Sequence, residues 1–221
     1  MDVAGFINKF RTDMGDTEVP YLWSDEEIVD YLNEAVDEAA ERAMLIEDST
    51  SLACSRIAVT AGEASYALHD SVIRVTRVAF NGSRLSPTSV EAEDDGDTNW
   101  ENRKGLPTRF IVNGNASSIR LVPDPVAPGT LAMTVNRRAL TPLTADNDTA
   151  APELKGIYHA RLMTWMYRCA YLKQDAETFD RGKAAEYEGT FERAFGERPS
   201  AATRQSRNNR RPPVVRMNPG W

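Results

Sequence analysis

The sequence predicts an α+β fold, with helices at both ends of the chain and β-strands between them. Apolar residues recur at helical spacing near the start of the chain and again after residue 154. Between these regions, short runs rich in β-branched residues are separated by turn-forming dipeptides. Because each helical region has one apolar stripe, we expect the two regions to pack as a helical bundle with an antiparallel β-rich region inserted between them.

Two helices are predicted at the N-terminus, over residues 2–14 and residues 24–47. The second helix begins with the spacing of a capping box, in which Ser24 and Glu27 each satisfy a backbone N–H group. An apolar stripe follows from Ile28 onwards. The opposite face of this helix is acidic and contains Asp30, Glu34, Asp37, Glu38 and Glu41.

The β-rich region is marked by strand patterns and by two hairpin turns. Strands are predicted over residues 55–60, 64–68, 72–80, 108–112, 117–122 and 130–138. The sequences Asn81-Gly82 and Asn113-Gly114-Asn115 are typical of hairpin turns. The acidic, turn-rich residues 91–105 are predicted to form a loop or a short helix.

Helical spacing returns over residues 154–172 and 179–196, and a glycine followed by Pro199 ends this region. Residues 199–221 contain four prolines and almost no periodicity, which predicts an extended arm. The predicted parts are the N-terminal helices 1–50, the β-rich insertion 51–150, the C-terminal helices 151–197 and the arm 198–221. The alternative is two separate domains, of which the first is helical.

The charge of the chain is unevenly distributed. Residues 1–101 carry 22 acidic and 7 basic side chains, whereas residues 102–221 carry 11 acidic and 19 basic side chains. The segment 199–221 contributes five arginines and no acidic residue, so the rest of the chain has a net charge of −12. A basic arm on an acidic body favours three interpretations: head-to-tail association of copies, nucleic-acid binding, or a solvated terminus.

The arm also contains apolar residues that a purely solubilising tail does not need. Arginine and tryptophan are enriched at the hot spots of protein interfaces. Basic anchors followed by an apolar tip therefore predict an arm that docks onto another protein chain and becomes ordered there. The candidate partner-binding residues are Arg204, Arg207, Arg210, Arg211, Val214, Val215, Arg216, Met217 and Trp221.

The sequence has no strong catalytic signature, so we expect a protein that is not an enzyme and uses no cofactor. It lacks the G-x-S-x-G, Walker A, G-x-G-x-x-G and H-E-x-x-H motifs. Cys54 and Cys169 are too few for a disulfide scaffold and are expected to be small buried side chains. His69 and His159 have no partners at metal-ligand spacing, so both are expected to make structural hydrogen bonds.

The acidic run at residues 91–97 invites a calcium-binding hypothesis. With Gly96 at the sixth position of an EF-hand loop, however, the twelfth position is Asn102 instead of the bidentate glutamate. A solvated loop or a subunit contact is therefore favoured. Trp100 follows this run and is either an exposed contact residue or a locally packed one.

The composition predicts neither a membrane protein nor a secreted one. Hydrophobic residues make up 41% and charged residues 27% of the chain, which are ordinary values for a globular protein. No apolar run approaches the ~20 residues that a membrane-spanning helix needs. The first residues also lack the basic and apolar regions of a secretion signal.

Several motifs follow one another in an order that resembles a known family. They are PYLWSDEEIVDYLNEA at 20–35, VIRV at 72–75 with Asn81-Gly82, GLPTRF at 105–110, and the helical region 158–196 ending in Phe195-Gly196. Over about residues 5–197, this order and spacing resemble the head-to-tail adaptor proteins of tailed bacteriophages, also called connector or head-completion proteins. Tail tubular protein A of T7-like podoviruses is similar in architecture.

The resemblance implies a structural protein without enzyme activity. It implies a ring, expected to be a dodecamer, that lies under the portal protein and receives the tail or nozzle protein. DNA would pass through the lumen without specific recognition, and no membrane would be involved. The expected location is the head–tail interface of the virion, after assembly in the cytoplasm of the bacterial host. C-terminal extensions of such adaptors commonly grip the portal, which makes the portal the expected partner of the arm.

Two other functions stay open. A nucleic-acid-binding protein would use the basic arm, although the acidic body argues against a broad DNA-binding face. A tail-associated enzyme such as a cell-wall hydrolase would use carboxylates of the run 91–97. The acidic face of the second helix would suit either a lumen that does not hold DNA or a contact with basic arms of a partner.

Overall fold

The computed structural model describes residues 1–114, 116–174 and 178–208 of the chain. It confirms the predicted α+β class, because helices at both ends of the chain flank a region of mainly antiparallel sheets. The α-helices are α1 (Val3–Met14), α2 (Asp25–Ala43), α3 (Leu52–Ser55), α4 (Val90–Gly96), α5 (His159–Leu172), α6 (Arg181–Phe195) and α7 (Ala201–Asn208). The strands are β1 (Glu47–Asp48), β2 (Arg56–Val59), β3 (Ser65–Ala67), β4 (Val72–Phe80), β5 (Ser83–Arg84), β6 (Ser86–Pro87), β7 (Lys104–Gly105), β8 (Arg109–Val112), β9 (Ser118–Val122), β10 (Asp124–Pro125) and β11 (Gly129–Arg137).

The chain divides into two compact units. The helical unit consists of Met1–Ile46 and Arg138–Arg198, and the β-rich unit consists of Glu47–Arg137 together with α7. The loop that follows β11 groups with the helices, although the sequence analysis placed it in the β-rich region. It is held there by the side-chain amide of Asn33, which donates to the carbonyl of Leu143 at 2.9 Å and accepts from its N–H group at 2.8 Å.

The helical unit is built around one hydrophobic core to which α1, α2, α5 and α6 all contribute. Its largest fully buried side chains are Trp23, Trp165, Phe6, Phe10 and Phe191. The rings of Phe10 and Trp23 meet edge to face with centroids 5.4 Å apart. Burial of each large side chain contributes about 1.5–3 kcal/mol, so this core joins helices that are far apart in the sequence.

The start of α2 is set by Ser24, whose Oγ accepts a hydrogen bond from the backbone N–H of Glu27 at 3.2 Å. This confirms the first half of the predicted capping box. The carboxylate of Glu27 accepts hydrogen bonds from Tyr31 at 2.7 Å and from Lys173 at 2.8 Å, and thereby links α2 to the end of α5. The helix ends earlier than predicted because Met44 adopts a left-handed φ of 51°.

A buried arginine fixes the turn between α1 and α2. Arg11 is only 8% exposed and donates hydrogen bonds to Asp16 at 2.7 Å, to the carbonyl of Trp23 at 3.0 Å and to Asp25 at 2.6 Å. Asp16 in turn accepts from the backbone N–H of Leu22 at 2.8 Å. Because these buried polar groups satisfy one another, the turn can pack against the apolar core without a large desolvation penalty.

The described strands of the β-rich unit form three sheets. In the five-stranded sheet, β11 is central: it pairs with β4 along one edge and with β1 and β2 along the other, and β4 also pairs with β5. These pairs are all antiparallel. The four-stranded sheet has the order β3-β9-β8-β6, and β7 and β10 form a short parallel pair.

Both predicted hairpins are confirmed, because β4 pairs antiparallel with β5 and β8 pairs antiparallel with β9. Asn81 and Gly82 have φ values of 47° and 84°, and positive φ at both central residues is what a type I′ turn requires. The second turn includes Asn115, which lies outside the described residues. Next to it, the side chain of Asn113 accepts a hydrogen bond from the backbone N–H of Ser117 at 2.8 Å.

A buried ion pair joins the first strand of the β-rich unit to the end of its last strand. Arg137 Nε lies 2.6 Å from Asp48 Oδ2, and the two side chains are 8% and 5% exposed. Asp48 also accepts hydrogen bonds from the hydroxyl of Ser51 at 2.5 Å and from the backbone N–H of Thr50 at 2.8 Å. Burial opposes ionisation of Asp48, but these hydrogen bonds outweigh it and hold the pKa of the carboxyl well below its ordinary value.

We expect Asp48→Asn to lower the free energy of unfolding by about 3 kcal/mol, because the buried guanidinium of Arg137 loses its counter-charge. Urea-induced unfolding measures this loss. Glu63→Gln removes one exposed carboxylate from the same unit and should change the free energy by less than about 0.5 kcal/mol. A loss for Asp48→Asn as small as that of the control would contradict the prediction.

The contribution of Asp48 should also depend on pH with a definite sign. Its folded-state pKa is lowered, so the stabilisation is fully present above the unfolded-state pKa of about 3.9 and is lost as the pH falls through the folded-state pKa. The difference in unfolding free energy between the wild type and Asp48→Asn should therefore be constant from about pH 5 to pH 7 and should shrink below about pH 4. Urea titrations across this range test the sign, and a difference that grows on acidification would contradict it.

Candidate interaction surfaces

The structure describes the first part of the predicted arm and differs there from the expectation. Residues 201–208 form the helix α7, so the prediction of an extended arm is wrong over these residues. Arg204 and Arg207 lie in this helix. The remaining candidate residues of the arm lie outside the described part of the chain: Arg210, Arg211, Val214, Val215, Arg216, Met217 and Trp221.

The helix α7 forms because the prolines of the arm lie on either side of it. Its start is capped by Ser200, whose Oγ accepts a hydrogen bond from the backbone N–H of Thr203 at 3.2 Å, and two alanines with high helix propensity follow. The helix lies beside the turn of the β8–β9 hairpin: a Cβ atom placed on Gly114 would be 3.3 Å from Cγ of Gln205. This part of the predicted arm therefore belongs to the β-rich unit.

The acidic run at residues 91–97 lies mainly in α4, and its most buried carboxylate serves the fold. Glu93 is 3% exposed and accepts a hydrogen bond from Thr88 at 2.7 Å. Its other oxygen lies 3.0 Å from the guanidinium of Arg109 on β8. Of the two predicted forms of this segment, the short helix is confirmed. The carboxylate ties the helix to the four-stranded sheet rather than pointing into a calcium loop.

Trp100 is a locally packed residue, and the interpretation of an exposed contact residue is wrong. Its side chain is 3% exposed, and Nε1 donates a hydrogen bond to Asp94 at 2.7 Å. The guanidinium of Arg120 lies over the ring, 4.6 Å from its centroid, and pairs with Glu101 at 2.9 Å. Trp100 is thus held by a local cluster that includes a cation–π contact.

The predicted acidic face of α2 is partly buried. Glu38 is 6% exposed, pairs with Arg42 at 2.9 Å and also contacts Arg198. Arg42 in turn lies over the ring of Trp165, 4.9 Å from its centroid. Glu38 therefore belongs to the core of the helical unit and is not available on the acidic surface, because periodicity does not show which polar residues have a buried partner.

Two residues of the predicted face, Asp30 and Glu34, are exposed, and together with the exposed Glu26 they form the acidic helix face. These residues are spaced by four, so they lie along one side of α2. Farther along the helix, burial raises the pKa of Asp37, and neighbouring carboxylates add to that effect against the opposing influence of Arg138 at 3.6 Å. A surface that carries three exposed carboxylates favours contact with positive charge.

Three exposed arginines on the five-stranded sheet form a second charged surface, the basic sheet face: Arg56, Arg77 and Arg84. Their side chains have no ion-pair or hydrogen-bond partner among the residues that the structure describes. A groove of about 320 Å³ lies beside Arg56 and Arg77. The sequence analysis missed this surface because the three residues lie on three different strands.

The register of the sheet brings these arginines together. Ala132 on β11 lies opposite both Arg56 on β2 and Ala79 on β4, and Ala79 lies opposite Arg84 on β5. Directly paired residues of antiparallel strands project to the same face, so these side chains share one row. Arg77 is two residues from Ala79 along β4 and therefore lies on the same face.

Both histidines make structural hydrogen bonds, as predicted. His69 Nδ1 lies 2.9 Å from the hydroxyl of Ser71. His159 is buried, with Nε2 3.0 Å from the carbonyl oxygen of Leu154 and Nδ1 2.7 Å from the amino group of Met1. The contact between His159 and the amino group of Met1 connects the start of the chain to the start of α5.

The two cysteines are buried and unpaired with each other, as predicted. Burial raises the pKa of the Cys169 thiol to about 12, and the nearby carboxylate of Glu34 adds to this shift. Burial also raises the pKa of Cys54. Because the thiolate is the reactive form, both side chains are suited to packing rather than to nucleophilic chemistry.

Two kinds of site are not found in the part of the chain that the structure describes. No group of three or more His, Cys, Asp or Glu side chains lies close enough together to hold a metal ion. No helix combines the length and the apolar character that crossing a bilayer requires. The charged features that these residues do present are surfaces, namely the acidic helix face and the basic sheet face.

A protein-family model described as SU10 adaptor protein matches residues 1–216 of the chain. The chain belongs to the SU10 adaptor protein family. This match supports the resemblance to phage head-to-tail adaptors, and with it a structural protein of the virion. A search of curated proteins gives no match. The matched region includes both compact units and reaches Arg216 in the arm.

We expect Glu93→Gln to lower the free energy of unfolding by about 2 kcal/mol, because it removes a buried carboxylate that accepts a hydrogen bond from Thr88 and forms an ion pair with Arg109. Glu101→Gln is the matched control: it removes a carboxylate that is 61% exposed and also paired with an arginine, and should cost less than about 1 kcal/mol. Thermal or urea unfolding of the two variants measures the difference. Equal losses would show that Glu93 does not anchor α4.

Proposed function

We propose that this protein is a structural head-to-tail adaptor of a tailed phage virion, which forms a ring that joins the portal to the tail and continues the DNA channel. The observation that carries the proposal is the family match over residues 1–216. Because the match spans the helical unit and the β-rich unit alike, the adaptor role involves both. Tail tubular protein A of T7-like podoviruses is the proposed architectural relative.

The ring is proposed to be a dodecamer whose neighbours are the portal protein and the tail or nozzle protein. DNA passes through its lumen without specific recognition, and the ring assembles in the cytoplasm of the bacterial host. Charged surfaces support a role of this kind, because a joint between proteins works through complementary surfaces rather than through a catalytic cleft.

The arm is the proposed portal-binding element. Residues 199–221 contain five arginines and no carboxylate, whereas the rest of the chain has a net charge of −12. A segment whose net charge is opposite in sign to that of the rest of the chain is suited to bind a separate partner. Its arginines would form the charged contacts and its apolar tip the buried ones: Val214, Val215, Met217 and Trp221.

The alternative of a nucleic-acid-binding protein that uses the arm is not favoured. The family match points to an adaptor protein. The acidic body would also repel a phosphate backbone and confine any contact to the arm.

Native mass spectrometry of the protein alone and mixed with purified portal rings tests the proposed function. We expect a discrete complex with about one adaptor chain per portal subunit, because matched rings share a symmetry axis. No complex with the portal, together with a salt-sensitive shift on DNA, would contradict the adaptor proposal and favour the alternative.

Deletion of residues 209–221 should weaken portal binding at least about tenfold, because it removes three arginines and the apolar tip. The deletion keeps α7, which packs beside the β8–β9 turn, so thermal unfolding should stay within about 1 °C of the wild type.

A matched control isolates the arginines of the arm. Replacement of Arg210, Arg211 and Arg216 by lysine keeps the charge but removes the planar guanidinium groups. Portal binding by this variant should lie between that of the wild type and that of the deletion. Unchanged portal binding by the deletion itself would contradict the proposed role of the arm.

A further inference from the structure

The helical unit is much more acidic than the β-rich unit. The residues of the helical unit include 22 acidic and 12 basic side chains, which gives a net charge of −10. Residues 47–137 of the β-rich unit carry 11 acidic and 9 basic side chains, a net charge of −2, and the segment 199–221 adds five arginines. Copies of a chain with two unlike surfaces attract one another where unlike surfaces meet and repel where like surfaces meet.

We propose that the basic sheet face of one copy (Arg56, Arg77 and Arg84) binds the acidic helix face of a second copy (Glu26, Asp30 and Glu34). This contact joins neighbouring subunits of the ring. The inference rests on the proposed function in one respect, because it assigns the subunit interface of the ring that an adaptor is proposed to form.

The basic sheet face is built to receive carboxylates. Arg56 and Arg84 lie at the two ends of a row of four strands, so their Cα atoms are about 14 Å apart, at a strand spacing of about 4.8 Å. Between them lie Ala79 and Ala132, whose small side chains leave space above the sheet between the two arginines. Arg56 and Arg77 border a shallow groove, whose lining includes Ala79 and Ala132 and which a helix surface can approach.

The charge of this face is not neutralised within the sheet. The strands of the sheet contain two carboxylates, Glu47 and Asp48. Asp48 is buried and paired with Arg137. Glu47 pairs with Asn136, so it projects to the same face, but Asn136 is four residues, or about 13 Å, from Ala132 along β11. The arginines have no ion-pair partner within the described chain, so they are available to a second molecule.

The acidic helix face has matching dimensions. Glu26, Asp30 and Glu34 are successive members of a row with a spacing of four residues, which places them about 6 Å apart and gives the row a length of about 12 Å. All three are exposed. The length of this row of carboxylates is thus close to the distance between the Cα atoms of Arg56 and Arg84.

As proposed, each face of a copy meets a different neighbouring copy, so the contact is heterologous. A heterologous contact repeats from copy to copy and closes into a ring when the rotation between copies allows it. Two basic faces, or two acidic faces, would repel one another, so a twofold dimer through either face is disfavoured. The observed separation of charge therefore favours the kind of assembly that the ring requires.

A charge-swap experiment tests the contact. One variant carries Arg56→Glu and Arg77→Glu, and the other carries Glu26→Arg and Asp30→Arg. Each variant alone should self-associate at least about tenfold more weakly than the wild type, because like charges then meet at every contact. An equal mixture should recover assembly to within about threefold of the wild type, because each altered face then meets a complementary face on the other variant.

Sedimentation at high protein concentration and native mass spectrometry measure self-association without the portal. The control variant Lys104→Glu with Lys155→Glu changes the net charge by the same amount as the sheet variant, but at exposed positions that belong to neither face. It should assemble like the wild type. Thermal unfolding verifies that all variants fold, as expected for substitutions at exposed positions.

Three outcomes would overturn the inference: normal assembly of either variant alone, no recovery in the mixture, or no self-association of the wild type at the highest soluble concentration. A further contradicting outcome is loss of salt-sensitive DNA binding in the sheet variant with unchanged self-association, which would assign the face to nucleic-acid phosphates. Failure of the wild type to bind portal rings would contradict the proposed function separately, because self-association is measured without the portal.

Discussion

The ion pair between Asp48 and Arg137 closes the β-rich unit at the place where the chain enters and leaves it. Both charges are almost fully removed from water, so each depends on the other and on the hydrogen bonds from the turn that follows Asp48. The pair also aligns β1 with the end of β11. Since β11 is the central strand of the largest sheet, its alignment sets the position of every strand that pairs with it.

The alignment of β11 also determines which residues share the basic sheet face. Side chains alternate between the two faces of a strand, so a shift of β11 by one residue would move its partners to the opposite face. Ala132 would then no longer lie between Arg56 and Ala79, and the row of exposed arginines would be broken. The basic sheet face thus depends on one register of β11, and the buried ion pair between Asp48 and Arg137 contributes to specifying it.

The sequence predicted the elements well where the signal is local. The cap at Ser24 and the positive φ values of Asn81 and Gly82 arise from the chemistry of neighbouring residues, and the corresponding helix and hairpin were predicted correctly. The helix α7 was missed because the prolines around it dominated the interpretation, although a serine cap and two alanines lie between them. Taken without the flanking prolines, these residues favour a short helix.

Long-range partners could not be predicted in the same way. Arg42 is four residues from Glu38 on the same helix, but nothing near Glu38 indicates that Arg198 also contacts it or that the pair is buried. Nothing near Asp48 identifies Arg137, which is 89 residues away. The same limit applies to the candidate surfaces. The arm was recognisable because its arginines are close in sequence, whereas the arginines of the sheet become neighbours only through the pairing of four strands.

The antiparallel pairing of Glu47 with Asn136 places the entry and the exit of the β-rich unit side by side. To the helical unit, this insertion of about ninety residues is therefore equivalent to a short loop between two adjacent points. A segment attached in this manner can be lengthened, shortened or replaced during evolution without any change in the helical core. Phages could in this way retain one subunit scaffold while they adapt the lobe that it carries to different neighbours.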